Sequence, residues 1–124
     1  MAPKKILVVD DTPDIVHFLV VRLRSEGFDT LTAYNGLDGL TIAERDRPDL
    51  IILDVMMPQL NGFQVCRKIK QNPELEHIPV IFLTAKDQPS DQFWGEEVGS
   101  SAYLTKPVDP RLVAQTVHEL LGTG

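Results

Sequence analysis

Apolar positions along the chain follow two rhythms. Continuous runs occur at Ile6-Leu7-Val8-Val9, Leu50-Ile51-Ile52-Leu53 and Val80-Ile81-Phe82-Leu83, with a weaker one around Leu31. Short apolar runs of this length read as strands buried on both faces. Between them, apolar residues recur every three or four positions, as at Ile15, Phe18, Leu19 and Leu23, then Leu37, Leu40 and Ala43. That spacing predicts helices with one inward stripe. Thr12-Pro13 and Asp109-Pro110 each predict an N-cap followed by proline in the first helical turn, and Gly27 a C-terminal stop. Arg47-Pro48 and Asn72-Pro73 end two further helices. A last strand, Ala102-Tyr103-Leu104, precedes a final helix carrying Leu112, Val113, Val117, Leu120 and Leu121. The segment from Pro89 to Val98 is polar and contains Gly95, so it reads as the least stable helix, the fourth.

Repeated strand–helix units imply an α/β doubly wound fold with a parallel sheet and helices on both faces. With 124 residues and 43% hydrophobic content, the chain predicts one domain over 1–124 with one contiguous core. No charged start precedes a cleavable apolar run, and no apolar stretch approaches membrane-spanning length. The expectation is a cytoplasmic protein with no membrane contact. A net charge of -6 and scattered cations argue against direct nucleic-acid binding. The single cysteine, Cys66, cannot form an internal disulfide, and its neighbours Phe63, Val65 and Ile69 predict a small core residue.

Carboxylates terminate the apolar runs: Asp10 and Asp11 follow the first, and Asp54 follows the run from Leu50 to Leu53. In a parallel sheet all three share the carboxyl edge, where open α/β sheets bind their ligands. Thr84 and Lys106 end two later strands on that edge. Singly, an aspartate there is a solvated turn former, as Asp46, Asp49 and Asp87 would be. Three together repel, so either their pKa values rise or a cation sits among them. Oxygen ligands favour magnesium, with manganese as the alternative, and magnesium leaves positions open for phosphate oxygens. A divalent ion and Lys106 would balance the three aspartates. Asp54 could then attack phosphorus to give an aspartyl phosphate.

These residues resemble the receiver domain of two-component response regulators over nearly the whole chain. The resemblance rests on Ile6-Leu7-Val8-Val9-Asp10-Asp11, Asp54-Val55-Met56-Met57-Pro58 with Asn61-Gly62, Pro79 to Ala85, and Tyr103-Leu104-Thr105-Lys106-Pro107. It implies a flavodoxin-like sheet of order 2-1-3-4-5. It also implies that Asp54 is the phosphoacceptor and that Asp10, Asp11 and the Met56 backbone carbonyl position Mg2+. Lys106 would contact phosphoryl oxygens. Thr84 and Tyr103 match the family's switch pair, which would alter the face made by the fourth helix, last strand and last helix. The Lys106-Pro107 bond matches one the family commonly holds in cis. Ser100-Ser101-Ala102 departs from the family pattern, where acidic residues are frequent. Met56 and Lys86 fall where relatives tune phosphate lifetime, and neither can orient water through a carboxylate or amide. Slow self-dephosphorylation is the expectation.

The partners implied are a histidine kinase or histidine phosphotransfer protein, and a downstream protein target. Phe93 and Trp94 are candidate anchors for that target, and a homodimer through the face of the fourth helix, last strand and last helix is a further expectation. A switch of this kind is not a turnover enzyme. The alternative is a degenerate receiver that binds proteins independently of phosphate; the intact acidic set argues against it. A haloacid-dehalogenase-like hydrolase would need an aspartate where Met56 stands. A flavodoxin would need a hydroxyl-rich phosphate loop where Asp10-Asp11-Thr12-Pro13 stands. His17, His77 and His118 lie away from the acidic edge and read as surface or capping residues.

Overall fold

The computed structural model describes residues 2–85 and 101–124. The apolar runs form strands β1 (Lys5–Val9), β3 (Leu50–Asp54) and β4 (Val80–Thr84), and the weaker ones form β2 (Asp29–Ala33) and β5 (Ala102–Thr105). All pair in parallel in the order β2-β1-β3-β4-β5, the order implied by the resemblance. The three central strands are buried almost throughout, and the two edge strands are partly exposed. Only a strand covered on both faces can be apolar at every position.

Helices α1 (Pro13–Ser25), α2 (Gly36–Asp46) and α3 (Gly62–Gln71), and a C-terminal helix α4 (Pro110–Leu121), supply that cover. Successive strand side chains point to opposite faces and sort into two cores. Ile6, Val8, Leu50, Ile52, Ile81 and Leu83 meet Val16, Leu19 and Leu23 of α1 and Val113 and Val117 of α4. Leu7, Val9, Ile51, Leu53 and Phe82 meet Ala43 of α2 and Val65, Cys66 and Ile69 of α3. Cys66 is thus a core residue, and burial pushes its thiol up to about 11.

Helix ends follow the predicted punctuation, with one difference in detail. Thr12 sits at the N-cap of α1 but its side chain makes no capping bond; its carbonyl accepts the Ile15 and Val16 amides instead. Asp109 does cap α4, accepting the Arg111 amide at 2.9 Å. Gly27, at φ 92°, follows the C-cap Glu26 in the left-handed region that suits glycine. Arg47 and Asn72 are the C-caps before their prolines.

Three residues predicted on inward faces are exposed: Phe18, Leu37 and Leu112. In α1 the buried stripe runs Val16, Leu19, Leu23, one position round from Phe18. In α2 it runs Gly36, Gly39, Ala43. A Cβ on Gly39 would lie 2.8 Å from the Val9 side chain, so α2 packs on the sheet through backbone, and Leu37 faces outward. The predicted fourth helix, with Phe93, Trp94 and Lys86, lies outside the described residues.

Candidate functional site

Strand ends place the site. β1, β3 and β4 run parallel in register, so Asp10 just beyond β1, Asp54 at the end of β3 and Thr84 at the end of β4 share one edge. The backbone binds this edge together. The Asp10 amide donates to Ala33 O, the Val55 amide to Leu83 O, and the Lys106 amide to Thr84 O at 2.7 Å. Lys106 thereby enters from the turn after β5, where the Lys106-Pro107 bond is cis.

The Lys106 ammonium lies 3.0 Å from Asp54 Oδ1 and 3.3 Å from Asp10 Oδ2. Asp10 and Asp54 are buried, and Asp11 is exposed. Oxygens of the three aspartates come within 4.8 Å of one another. Local amides hold the two buried carboxylates: Thr12 N–H donates to Asp10 Oδ1 at 2.9 Å, and Met56 N–H to Asp54 Oδ1 at 3.3 Å. Asp10 Oδ2 accepts no hydrogen bond of good geometry among the described residues.

Burial, and then the Asp10 charge, push the Asp54 carboxyl up to about 6, against the opposing pull of Lys106 and the Met56 amide. Burial alone would lower the Lys106 ammonium. The hydrogen bond to Asp54 and the charges of both aspartates outweigh it, leaving the ammonium above its ordinary value. Among the described residues, one cation faces three carboxylates and undercompensates them. An all-oxygen cluster of two buried carboxylates and one exposed member fits a hard divalent cation that keeps part of its water.

Thr84 is buried at the same edge. Tyr103 is half-buried on β5, its ring 5.9 Å from Phe82, which meets Phe63 of α3 edge-on at 5.0 Å. Met56 is exposed beside Asp54. A groove of about 300 Å3 lined by Asp14, Ile15, Phe18, Lys106, Pro107 and Val108 opens next to the lysine. A larger one, about 650 Å3, follows α1 past His17, Phe18, Val21 and Ser25. The acids and Lys106 thus converge as predicted.

His118 is not a simple surface residue. Its Nε2 lies 2.8 Å from Glu26 and its Nδ1 2.7 Å from Thr123 Oγ1, with the ring 5.0 Å from Phe28. Asp49, expected as a solvated turn former, accepts the Lys5 amide at 2.7 Å. One contributor went unnoticed in the sequence: Asn61 and Gln64 form a capping box that starts α3 beside Asp54, legible in principle from Asn-x-x-Gln before an apolar stripe.

The parallel α/β sheet with a buried, lysine-paired aspartate in an acidic pocket at its carboxyl edge matches the architecture of receiver domains, which are phosphorylation-dependent signalling switches rather than turnover enzymes. Residues 6–118 match the family model of the response regulator receiver domain, and the chain belongs to that family. It is 42% identical over 117 residues to protein PilH of Pseudomonas aeruginosa, covering 94% of this chain and 97% of PilH. It is 45% identical over 118 residues to the alkaline phosphatase synthesis transcriptional regulatory protein PhoP of Bacillus subtilis, covering 95% of this chain but only 48% of PhoP. The chain thus spans nearly all of one relative and about half of the other. The crystal structure of chemotaxis protein CheY4 of Vibrio cholerae superposes with a TM-score of 0.91 at 31% identity, covering 97% of this chain and all of that one. Receiver domains exchange signals with histidine kinases or phosphotransfer proteins and with downstream targets. Among the described residues, no helix is long and apolar enough to cross a membrane.

Proposed function

We propose that residues 1–124 act as one cytoplasmic receiver domain that accepts a phosphoryl group on Asp54 from a histidine kinase or histidine phosphotransfer protein. The carrying observation is the buried Asp54 carboxylate with the Lys106 ammonium 3.0 Å away in an undercompensated acidic pocket. Asp10, Asp11, Asp54 and the Met56 backbone carbonyl would hold Mg2+, or Mn2+, which when bound supplies positive charge for the transferring phosphoryl oxygens. An Asp54 oxygen attacks phosphorus, the bond from phosphorus to the donor histidine nitrogen breaks with its electron pair returning to that nitrogen, and the ring, protonated on its other nitrogen, leaves as neutral imidazole. Lys106 steadies the oxygens on which charge gathers.

Readout is assigned to Thr84 and Tyr103. The Thr84 hydroxyl would turn toward the new phosphoryl group, and the half-buried Tyr103 ring would follow, shifting the surface of β5 and α4 and the segment before β5. That surface would bind a downstream target or a second copy. Only contacts that differ between the two states can drive such a shift. The exposed Met56 offers hydrolytic water no carboxylate or amide, which supports slow self-dephosphorylation. A phosphoryl half-life of seconds would overturn that part.

Intact mass after incubation with magnesium and acetyl phosphate, beside Asp54→Asn, tests the proposal. A magnesium-dependent phosphoryl adduct absent from the variant is the expected result. No adduct on folded protein would instead favour an interaction module that works without phosphate.

A further inference from the structure

Gly62 opens α3 at the point where that helix meets the phosphoacceptor strand. A Cβ placed there would lie 2.4 Å from the Asp54 carbonyl oxygen, and 3.0 Å from both the Asp54 carbonyl carbon and the Val55 Cα. Every one of these atoms is backbone, so no side chain can swing aside. Gly62 has no positive φ, unlike Gly27 and Gly122, so conformational freedom is not what the position requires. Alanine would also be the better helix former by about 1 kcal/mol. What the position requires is space.

Two further features hold the contact closed. The Gly62 amide donates to Val55 O at 3.1 Å, joining the first turn of α3 to the peptide that follows Asp54. Asn61 and Gln64 lock that turn with reciprocal bonds at 2.9 Å. The loop between them turns through Gln59 at φ 68°, and the Met57 amide also returns to Val55 O. Asp54, Met56 and the start of α3 therefore form one short, backbone-closed unit.

We infer that Gly62 is a positioning residue: its missing side chain lets α3 clamp the Asp54–Val55 peptide, which sets where the Asp54 carboxylate and the Met56 carbonyl stand. The inference rests on the phosphoacceptor reading for its meaning, although the clamp itself is steric. A β-carbon must displace the end of β3, and reacting groups displaced by about 1 Å can lose about a hundredfold in rate.

The test compares Gly62→Ala with Ile69→Val, which thins the buried core face of the same helix about two turns further on. Circular dichroism establishes folding and Tm. Calorimetric titration with Mg2+ alone and the rate of adduct formation from acetyl phosphate are then measured on folded protein. The expected result is Mg2+ affinity weakened and phosphorylation slowed by about tenfold or more in Gly62→Ala, with both unchanged in Ile69→Val. Unchanged affinity and rate in folded Gly62→Ala would overturn the inference, as would equal losses in both variants. If Gly62→Ala does not fold, Asn61→Ala decides: opening the capping box should weaken Mg2+ binding in the same direction, and unaltered binding overturns the clamp. A wild type that binds Mg2+ but forms no adduct would defeat the phosphoacceptor reading, and the Mg2+ titrations alone would then judge the clamp.

Discussion

Two ionic clusters at different places in the fold use similar residues to opposite ends. At the carboxyl edge, Lys106 faces Asp54 and Asp10, both buried. Between α1 and α4, Glu26 faces Arg22 at 3.1 Å and His118 at 2.8 Å, all partly exposed. In the second cluster the hydrogen bond from His118 leads the effects that hold the Glu26 carboxyl below its ordinary value, so its charged form is favoured. In the first, burial leads and drives Asp54 the other way. Water and matched partners make one cluster a modest tie between helices. Desolvation and surplus negative charge make the other a site that gains from an added cation.

The largest effect that separates them is chemical. Asp54→Asn should abolish the magnesium-dependent mass adduct, whereas Glu26→Gln should leave adduct yield unaltered; equal losses would erase the distinction. Next comes Lys106→Met, which removes the ammonium that faces both buried aspartates. Without metal at neutral pH it should cost on the order of 2 kcal/mol in urea unfolding. Saturating Mg2+ should restore much of that, since a ligand at about 100 times its Kd stabilises by about 2.7 kcal/mol.

A third prediction concerns pH. The Asp54 pKa is raised from 3.8 to about 6 by folding, so between these values the folded state binds more protons than the unfolded one. Metal-free stability contributed by this group is therefore full below the unfolded value and lost as pH rises through about 6. The contribution is on the order of 2 kcal/mol. Thermal unfolding in chelator across this window should show the slope, and Asp54→Asn should flatten it. A slope surviving in Asp54→Asn would assign it elsewhere. The smallest effect belongs to Glu26. Its depressed pKa gives stability present above the unfolded value and lost as pH falls through the folded one, so Glu26→Gln should lower Tm slightly near neutrality and converge with wild type in acid.

Much of the site was legible because a parallel sheet converts sequence order into spatial order. Residues that end apolar runs must share an edge, whatever their separation, and Asp10, Asp54, Thr84 and Lys106 do so. Helix faces were less legible. Phe18 and Leu37 satisfy the helical spacing yet are exposed, because the inward direction depends on where each helix lies on the sheet. Small residues carry that information weakly: Gly39 and Ala43 pack α2, and hydrophobic periodicity overlooks glycine.

The sequence by itself determined the strands, the described helical connections, the cap at Asp109, and the chemical inventory at the carboxyl edge. Each depends on local spacing or on chain order in a parallel sheet. Tertiary structure alone decided the rest: that Asp54 is desolvated enough to titrate near 6, that the Lys106 ammonium reaches both Asp10 and Asp54, that Gly62 presses on the Asp54 carbonyl, and that His118 reaches Glu26 across 92 positions. Those properties are sums over atoms far apart in the chain, and desolvation and close contact exist only once the elements have packed.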